Sequence, residues 1–404
     1  MSTTAAVTLR SFEEVREAFR AKDLKQALYD EGGVVMADVL LTLHGDAHRL
    51  RRRLENRLFR RDTFRRYERE LTAEIVTKTL EPFLAAREAD LVSLGYRVIM
   101  NLTALIAGID RPAGTAEETE ALLEFTRLFS AGATLVHSTL DHGSVRASVA
   151  EGLDRFDAQF LRASVERRRR LIERHRAGEL PDAELPPDVL TVLLRNEDDL
   201  DLPPEVVRRE VAFYLQAGSH STANAFTHTR DEVFRWGRLH PEDAERARRD
   251  KLFLQRCAHE ALRLYPASPI AFRRALTAVR LRSGVEIPAG AAVTLDLMAA
   301  NRDERVFGAD ADRFNPHRPL PDGVPPWGHS FGAGTHACIG MELDGGLDPA
   351  QTRDDPGDHL FGTVTTLAAA VLAAGAGPDP SRPPQKDPDT SRPHFSSYPV
   401  IFGA

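Results

Sequence analysis

The chain has 404 residues, 42% of them hydrophobic and 28% charged, enough to bury a large core and to enclose a cofactor. Its 53 basic and 60 acidic residues leave a net charge of −7, which argues against nucleic acid as the main partner. With two cysteines, Cys257 and Cys338, a disulfide framework is not expected, and a reducing, cytoplasmic setting is.

Met1–Leu9 is small and polar, without a charged region leading into an apolar run, so no signal peptide is expected. Residues 11–29 read as an amphipathic helix, with Ser11 as its cap and Glu14 placed three later as in a capping box. A very basic helical stretch follows from Asp46 to about Leu80, stopped by Glu81-Pro82. Helical patterns continue from Asp90 to Arg176, broken at residues 111–114, and a polar, proline-rich connection covers 177–188. Pro203 opens a long helix to about Leu239, and another spans roughly 250–265. The character then changes. Val279–Leu281, Glu286–Ile287 and Ala292–Leu295 read as short strands, and 314–335 is rich in Pro and Gly. A last apolar helix covers about 359–375, and His394–Phe402 is extended. Its Ala-rich run Leu367–Gly377 is the best apolar segment and falls short of the roughly eighteen residues of a membrane span. The expectation is a mainly α fold with a small β region, as a single domain over residues 1–404.

The sharpest feature is Phe331-Gly-Ala-Gly-Thr-His-Ala-Cys338-Ile-Gly340. Its glycines imply tight turns or a close approach to something. A helix starting after Cys338 would favour thiolate over thiol, and a thiolate can bind iron. From these residues alone other readings stay open. Cys338 can be a buried structural cysteine, or half a zinc site with His336. Gly332–Ala337 also fits G-x-G-x-x-A formally, although no strand precedes it.

The loop resembles the cysteine-ligand signature of cytochromes P450, F-G-x-G-x-[HR]-x-C-x-[AG], at every fixed position, and the resemblance extends from about residue 36 to the C-terminus. It implies that fold, with haem b buried between the long central helix and the cysteine loop. It makes Cys338 the iron ligand, with Phe331, Gly332 and Gly340 shaping the loop around the haem. Glu260-Ala-Leu-Arg263 resembles the family's E-x-x-R, and Arg318 its F-x-P-x-R arginine, a structural network that Asn301-Arg302-Asp303 also fits. His48 and Arg52 resemble H-x-x-x-R and, with Arg273 and His336, are expected at the haem propionates. Most arginines of 49–66 are expected on a solvated face, part of which can dock an acidic electron carrier.

Ala217-Gly218-Ser219-His220-Ser221-Thr222 resembles the segment that crosses over the haem, A-G-x-[DE]-T. Gly218 is expected to leave room for dioxygen. His220 and Ser221 replace the acid and the threonine, so Ser221, with His220 or Thr222, is expected to manage protons, unless His220 points away and merely packs. Ala217, Ser268, Pro269, Ile270, Phe395 and Ser396 are the expected pocket residues, suggesting a hydrophobic small-molecule substrate. Two departures from the family are a missing or abbreviated first helix and strand, and an acidic surface insertion at 344–358.

No C-x-x-C-H is present, so covalent haem attachment is not expected. The resemblance implies a monooxygenase using O2, with electrons from a separate ferredoxin and ferredoxin reductase and ultimately NAD(P)H, in a monomer without nucleic-acid or membrane partners. A peroxide-using or non-oxygenating haem-thiolate enzyme, and a non-catalytic haem sensor, are the alternatives.

Overall fold

The computed structural model describes residues 6–350 and 358–403. The central helix, Pro204–Leu239, runs through the molecule and packs most extensively on Leu91–Ala107. The approach is close: a Cβ on Gly95 would stand 3.1 Å from Phe226 Cδ1. Around this pair lie Ala116–Ala133, His142–Phe156, Arg162–Arg176, Lys251–Leu264 and Gly362–Ala373. Their apolar faces merge into one core reaching from Val35 to Phe402.

The β region is larger than the sequence suggested. A four-stranded sheet has the order Ala6–Leu9, Ala292–Asp296, Ile270–Ala275, Leu24–Gln26. Ala6–Leu9 pairs in parallel with Ala292–Leu295, so a first strand is present ahead of the first helix, against expectation. That helix is Phe12–Arg20 only: Ser11 accepts the Glu14 N–H as its cap, but Ala21 is extended and Leu24–Gln26 pairs with Arg273–Ala275. Here long-range pairing overrides local helical preference. A three-stranded sheet joins Glu88–Asp90, Pro399–Phe402 and Ala376–Pro378.

The basic stretch is not one helix. Gly45–Glu55 ends, and Arg61–Arg66 then passes through a wide π turn, Tyr67–Thr72, into Ala73–Ala86. Pro82 does not stop it. It sits on the exposed face near the helix end, where its missing N–H is tolerated, and the stop comes at left-handed Arg87 (φ 57°).

The chain after the cysteine loop also departs from expectation. Met341–Gly345 is a short helix, and 344–347 is buried rather than a surface insertion. Gln255 Nε2 reaches the carbonyls of Gly345, Leu347, Leu360 and Phe361, at 3.1–3.2 Å, and Leu347 N donates to Leu360 O. This pinches the excursion at its base. Residues 351–357 of it lie outside the described residues.

Candidate active site

The cysteine loop is shaped by its backbone. Gly332 and Gly334 have φ of 63° and 71°, and a Cβ on Gly334 would lie 2.5 Å from Phe19 O. Cys338 N donates to Phe331 O at 2.9 Å, closing the loop. Gly340 has an ordinary φ and open space beside it, so its role differs from that of the other two glycines.

A framework beneath holds the loop. Arg263 donates to both Glu260 carboxylate oxygens (2.8 and 2.7 Å) and to the carbonyls of Asn301, Ala311 and Arg313. Arg318 Nε donates to Glu260 at 3.0 Å. Asn301 carries the connection on, through its Nδ2 to Ser330 Oγ and its Oδ1 to His329 N. Ser330 is the residue before Phe331, so the network ends at the loop.

Cys338 is exposed, but to an interior cavity of ≈ 340 Å³ that it lines. That is within the roughly 300–1,000 Å³ of small-molecule sites. The central helix contributes Ala217, Gly218, Ser221 and Thr222 to the wall. His48, Arg52, Arg273, His336, Phe331, Gly332 and Gly340 line it too, as do Ser268 and Ile270. Desolvation pushes the Cys338 thiol up to about 11, against the pull of the Gly340 N–H. Burial is the larger influence here, and the helix that follows the loop is short.

Four basic groups meet on one wall. His48 is buried with Nε2 lacking a hydrogen-bond partner among the described residues, and His336 Nδ1 likewise. Their rings lie 4.1 Å apart. Burial, then neighbouring positive charge, brings them down to about 4 and about 3. Arg52 Nη2 donates to Ala337 O at 2.8 Å. Arg273 is buried over the Phe19 ring and lowered to about 10 by burial.

Other expected residues land elsewhere. His220 is not on the cavity wall: its Nδ1 meets Tyr96 Oη at 2.6 Å, behind the central helix. Four successive helical positions span more than one turn, so Gly218, Ser221 and Thr222 can face the cavity while His220 does not. Pro269 is absent from the wall, its carbonyl receiving the N–H groups of Leu297 and Met298. Phe395 packs against His228 and Tyr398 instead. Ser396 is exposed and donates to Lys386 O. Gly218 is also a packing residue, since a Cβ there would stand 2.7 Å from Thr103 Cγ2. Within the basic run, Arg51 is buried and paired with Glu210 at 2.8 Å rather than solvated.

Tyr29 and Asp344 are among the wall residues that escaped the sequence reading. Tyr29 lines the cavity, its hydroxyl raised by burial. Asp344 does too. It is buried, its Oδ1 without a hydrogen-bond partner among the described residues, and raised to about 6 by burial, with Thr222 opposing the rise. The interrupted helix after Cys338 was the available signal for Asp344; none pointed to Tyr29.

A family model described as "Cytochrome P450" matches residues 231–343. The solved P450BioI, determined with an acyl carrier protein bearing hexadec-9Z-enoic acid, aligns over 98% of this chain and 92% of its own at TM-score 0.73 and 19% identity. HmtT of himastatin biosynthesis aligns over 98% and 91% at TM-score 0.73 and 23% identity. The chain has the cytochrome P450 fold, and its residues 231–343 match that family's model. Among curated relatives, the probable cytochrome P450 313a3 of Drosophila melanogaster is 39% identical over 95 residues, 22% of this chain and 19% of that protein. Cytochrome P450 734A1 of Arabidopsis thaliana is 31% identical over 163 residues, 34% of this chain and 30% of that protein. Indoleacetaldoxime dehydratase of the same plant is 27% identical over 184 residues, 40% and 37% of the two chains. The matched stretches thus span well under half the length of these curated relatives.

The cofactor of the matched family is haem iron, and the residues of this chain suit it. A sulfur stands on the cavity wall, facing the central helix. The partnerless buried nitrogens of His48 and His336, beside two guanidinium groups, match acidic substituents that would supply the missing hydrogen bonds. Among the described residues no helix is long and apolar enough to cross a membrane.

Proposed function

We propose that this chain is a haem-thiolate monooxygenase that oxidises a small organic substrate with O2. Electrons come from NAD(P)H through a ferredoxin reductase and a ferredoxin. The observation that carries this reading is the convergence of Cys338, His48, Arg52, Arg273 and His336 on one cavity.

The roles follow from position. Cys338 Sγ is the iron ligand; a coordinating metal deprotonates a thiol outright, so the raised thiol pKa is no obstacle. His48, Arg52, Arg273 and His336 bind the propionate edge. Bound haem supplies the oxygen chemistry, which a cysteine thiolate favours throughout this family by pushing electron density onto iron. On the opposite wall, Ser221 Oγ donates to Ala217 O at 2.7 Å and is the hydroxyl nearest the expected threonine position. Thr222 and Asp344 line the same cavity, and a carboxyl near 6 exchanges a proton readily at neutral pH. Ile99, Leu102, Ile106 and Phe213 make much of the wall apolar, in keeping with a largely hydrophobic substrate body. Exposed Arg49, Arg53, Arg57 and Arg60 offer the electron carrier a basic face.

A second reading has its own observation. His220 is turned away from the cavity, which leaves the acid position of the oxygen-handling segment without an acid, and the relatives include a dehydratase. A peroxide-using or non-oxygenating enzyme fits that arrangement.

The test is the absorption spectrum of the reduced, carbon-monoxide-treated protein and of Cys338→Ser. A strongly red-shifted Soret band, lost in the variant, is expected. A folded, haem-loaded wild type without that band refutes the ligand assignment. Turnover with a redox chain and O2 then favours the monooxygenase, whereas turnover with peroxide alone favours the second reading.

A further inference from the structure

Behind the cavity wall formed by Ala267 and Ser268 lies a polar cluster that the haem-binding residues do not use. Its centre is Arg392, 7% exposed. Arg392 donates to Thr390 Oγ1 (3.1 Å), Thr134 Oγ1 (3.2 Å) and Ala267 O (3.4 Å), all neutral oxygens, and forms no ion pair among the described residues. A guanidinium has five N–H donors, so two remain. Its charge acts on His137, His220, His394, Tyr96 and Tyr29 together. Burial holds the histidines neutral, and Asp387, a carboxylate whose charge acts on Arg392, forms no ion pair with it among the described residues.

Independent of the arginine, the histidines have unspent polar atoms. His394 and His228 are 2% and 1% exposed, yet His394 Nδ1 and His228 Nε2 have no hydrogen-bond partner among the described residues, and neither has His220 Nε2. Their rings gather at 5.3 Å (His220 to His394) and 6.0 Å (His228 to His394). Among the described residues no group of His, Cys, Asp and Glu is disposed to hold a metal ion, so a metal does not account for them. The cluster adjoins the cavity from behind: His137 Nε2 meets Ser268 Oγ at 2.9 Å, Arg392 donates to Ala267 O, and Ala267, Ser268 and Tyr29 line the wall.

We propose that this corner is a subsite for a carboxylate on the substrate, with Arg392 as the charge partner and Tyr29 and the neutral histidines as hydrogen-bonding groups. The proposal rests on the oxygenase reading and narrows its substrate class to an apolar body bearing a carboxylate. An unneutralised buried guanidinium is costly, and an incoming anion offsets that cost. One guanidinium among neutral groups suits a monoanion better than a phosphate dianion.

The test uses holoprotein and matched acid and ester pairs, benzoic acid with methyl benzoate and decanoic acid with methyl decanoate, read by calorimetry. At least one acid should bind wild type about tenfold or more tightly than its ester, the scale of one charge-assisted hydrogen bond. Arg392→Gln should remove that preference and leave ester affinity unchanged, with Arg392→Lys between. A merely structural Arg392 would shift acid and ester together. Equal binding of acid and ester by wild type, no binding of either acid, or a preference that survives Arg392→Gln, overturns the subsite. If Arg392→Gln does not fold, the wild-type comparison still decides. The Cys338-dependent band, recorded on the same samples, separates this failure from failure of the haem-thiolate reading.

Discussion

Two arginines on adjoining helices are both 0% exposed and have opposite surroundings. Arg263, on Lys251–Leu264, directs its donors at the Glu260 carboxylate and at three carbonyls. Arg230, on the central helix, has no hydrogen-bond partner at Nε, Nη1 or Nη2 among the described residues. Its only evident compensation there is the Phe234 ring, 4.1 Å from the guanidinium carbon, and burial pulls it down to about 9. Burial by itself therefore says nothing about whether a charge stabilises. The sign is set by how many of its donors find acceptors.

The largest expected effect comes from emptying the satisfied position. Arg263→Met strips Glu260 of its bidentate partner and leaves three carbonyls short, so a loss of about 3–5 kcal/mol is expected in urea unfolding. Because Asn301 and Ser330 pass the network to the cysteine loop, haem retention should fall with it. A loss under about 1 kcal/mol would mean that Arg318, which also reaches Glu260, can carry the network alone. Arg230→Met is the opposite experiment. It removes an uncompensated charge and forfeits a cation–π contact worth about 2 kcal/mol or more when desolvated. A net gain of about 1–3 kcal/mol is expected by the same assay. Destabilisation would show that Arg230 has an acceptor in solution, such as a bound anion.

The same contrast explains what could be read from sequence. The cysteine loop and Glu260–Arg263 are local: the residues that act together stand within a few positions, so spacing alone places them. The residues expected at the haem come from three separate places in the sequence, His48 with Arg52, then Arg273, then His336, and only the family resemblance brought them together. Nothing brought in Tyr29, Asp344 or Arg392; Arg392, for one, meets Ala267 and Thr134 from 125 and 258 residues away. Arg230 looked like any helical arginine, a residue type that is ordinarily solvated. His220 illustrates the limit within a motif: its position along the helix was legible, but the face it presents depends on Tyr96 of another helix. The missed strands fail for the same reason. Ala6–Leu9 and Leu24–Gln26 are short, and each exists because a distant strand pairs with it.

Histidines allow the comparison to be repeated without a permanent charge. His259 and His228 are both buried, His259 with Nε2 on Gly345 O at 2.7 Å and His228 with Nε2 partnerless among the described residues. Burial lowers them from 6.5 to about 4 and about 3. Below pH 6.5 the unfolded chain takes up a proton at each while the folded chain does not. Stability therefore falls as pH drops from about 6.5 toward the folded values, by about 1.4 kcal/mol per pH unit for each group. At pH 8 neither is charged, and only the hydrogen bond distinguishes them. His259→Phe should then cost about 1 kcal/mol, whereas His228→Phe, which keeps a ring to stack on Tyr265, should change stability by less than about 0.5 kcal/mol. At pH 5 both variants should recover about 2 kcal/mol relative to wild type, because each has shed a group that resists folding in acid. Equal costs at pH 8 would mean that the His259 bond contributes nothing net. Unequal recovery at pH 5 would mean that one of the two histidines is already protonated in the folded protein.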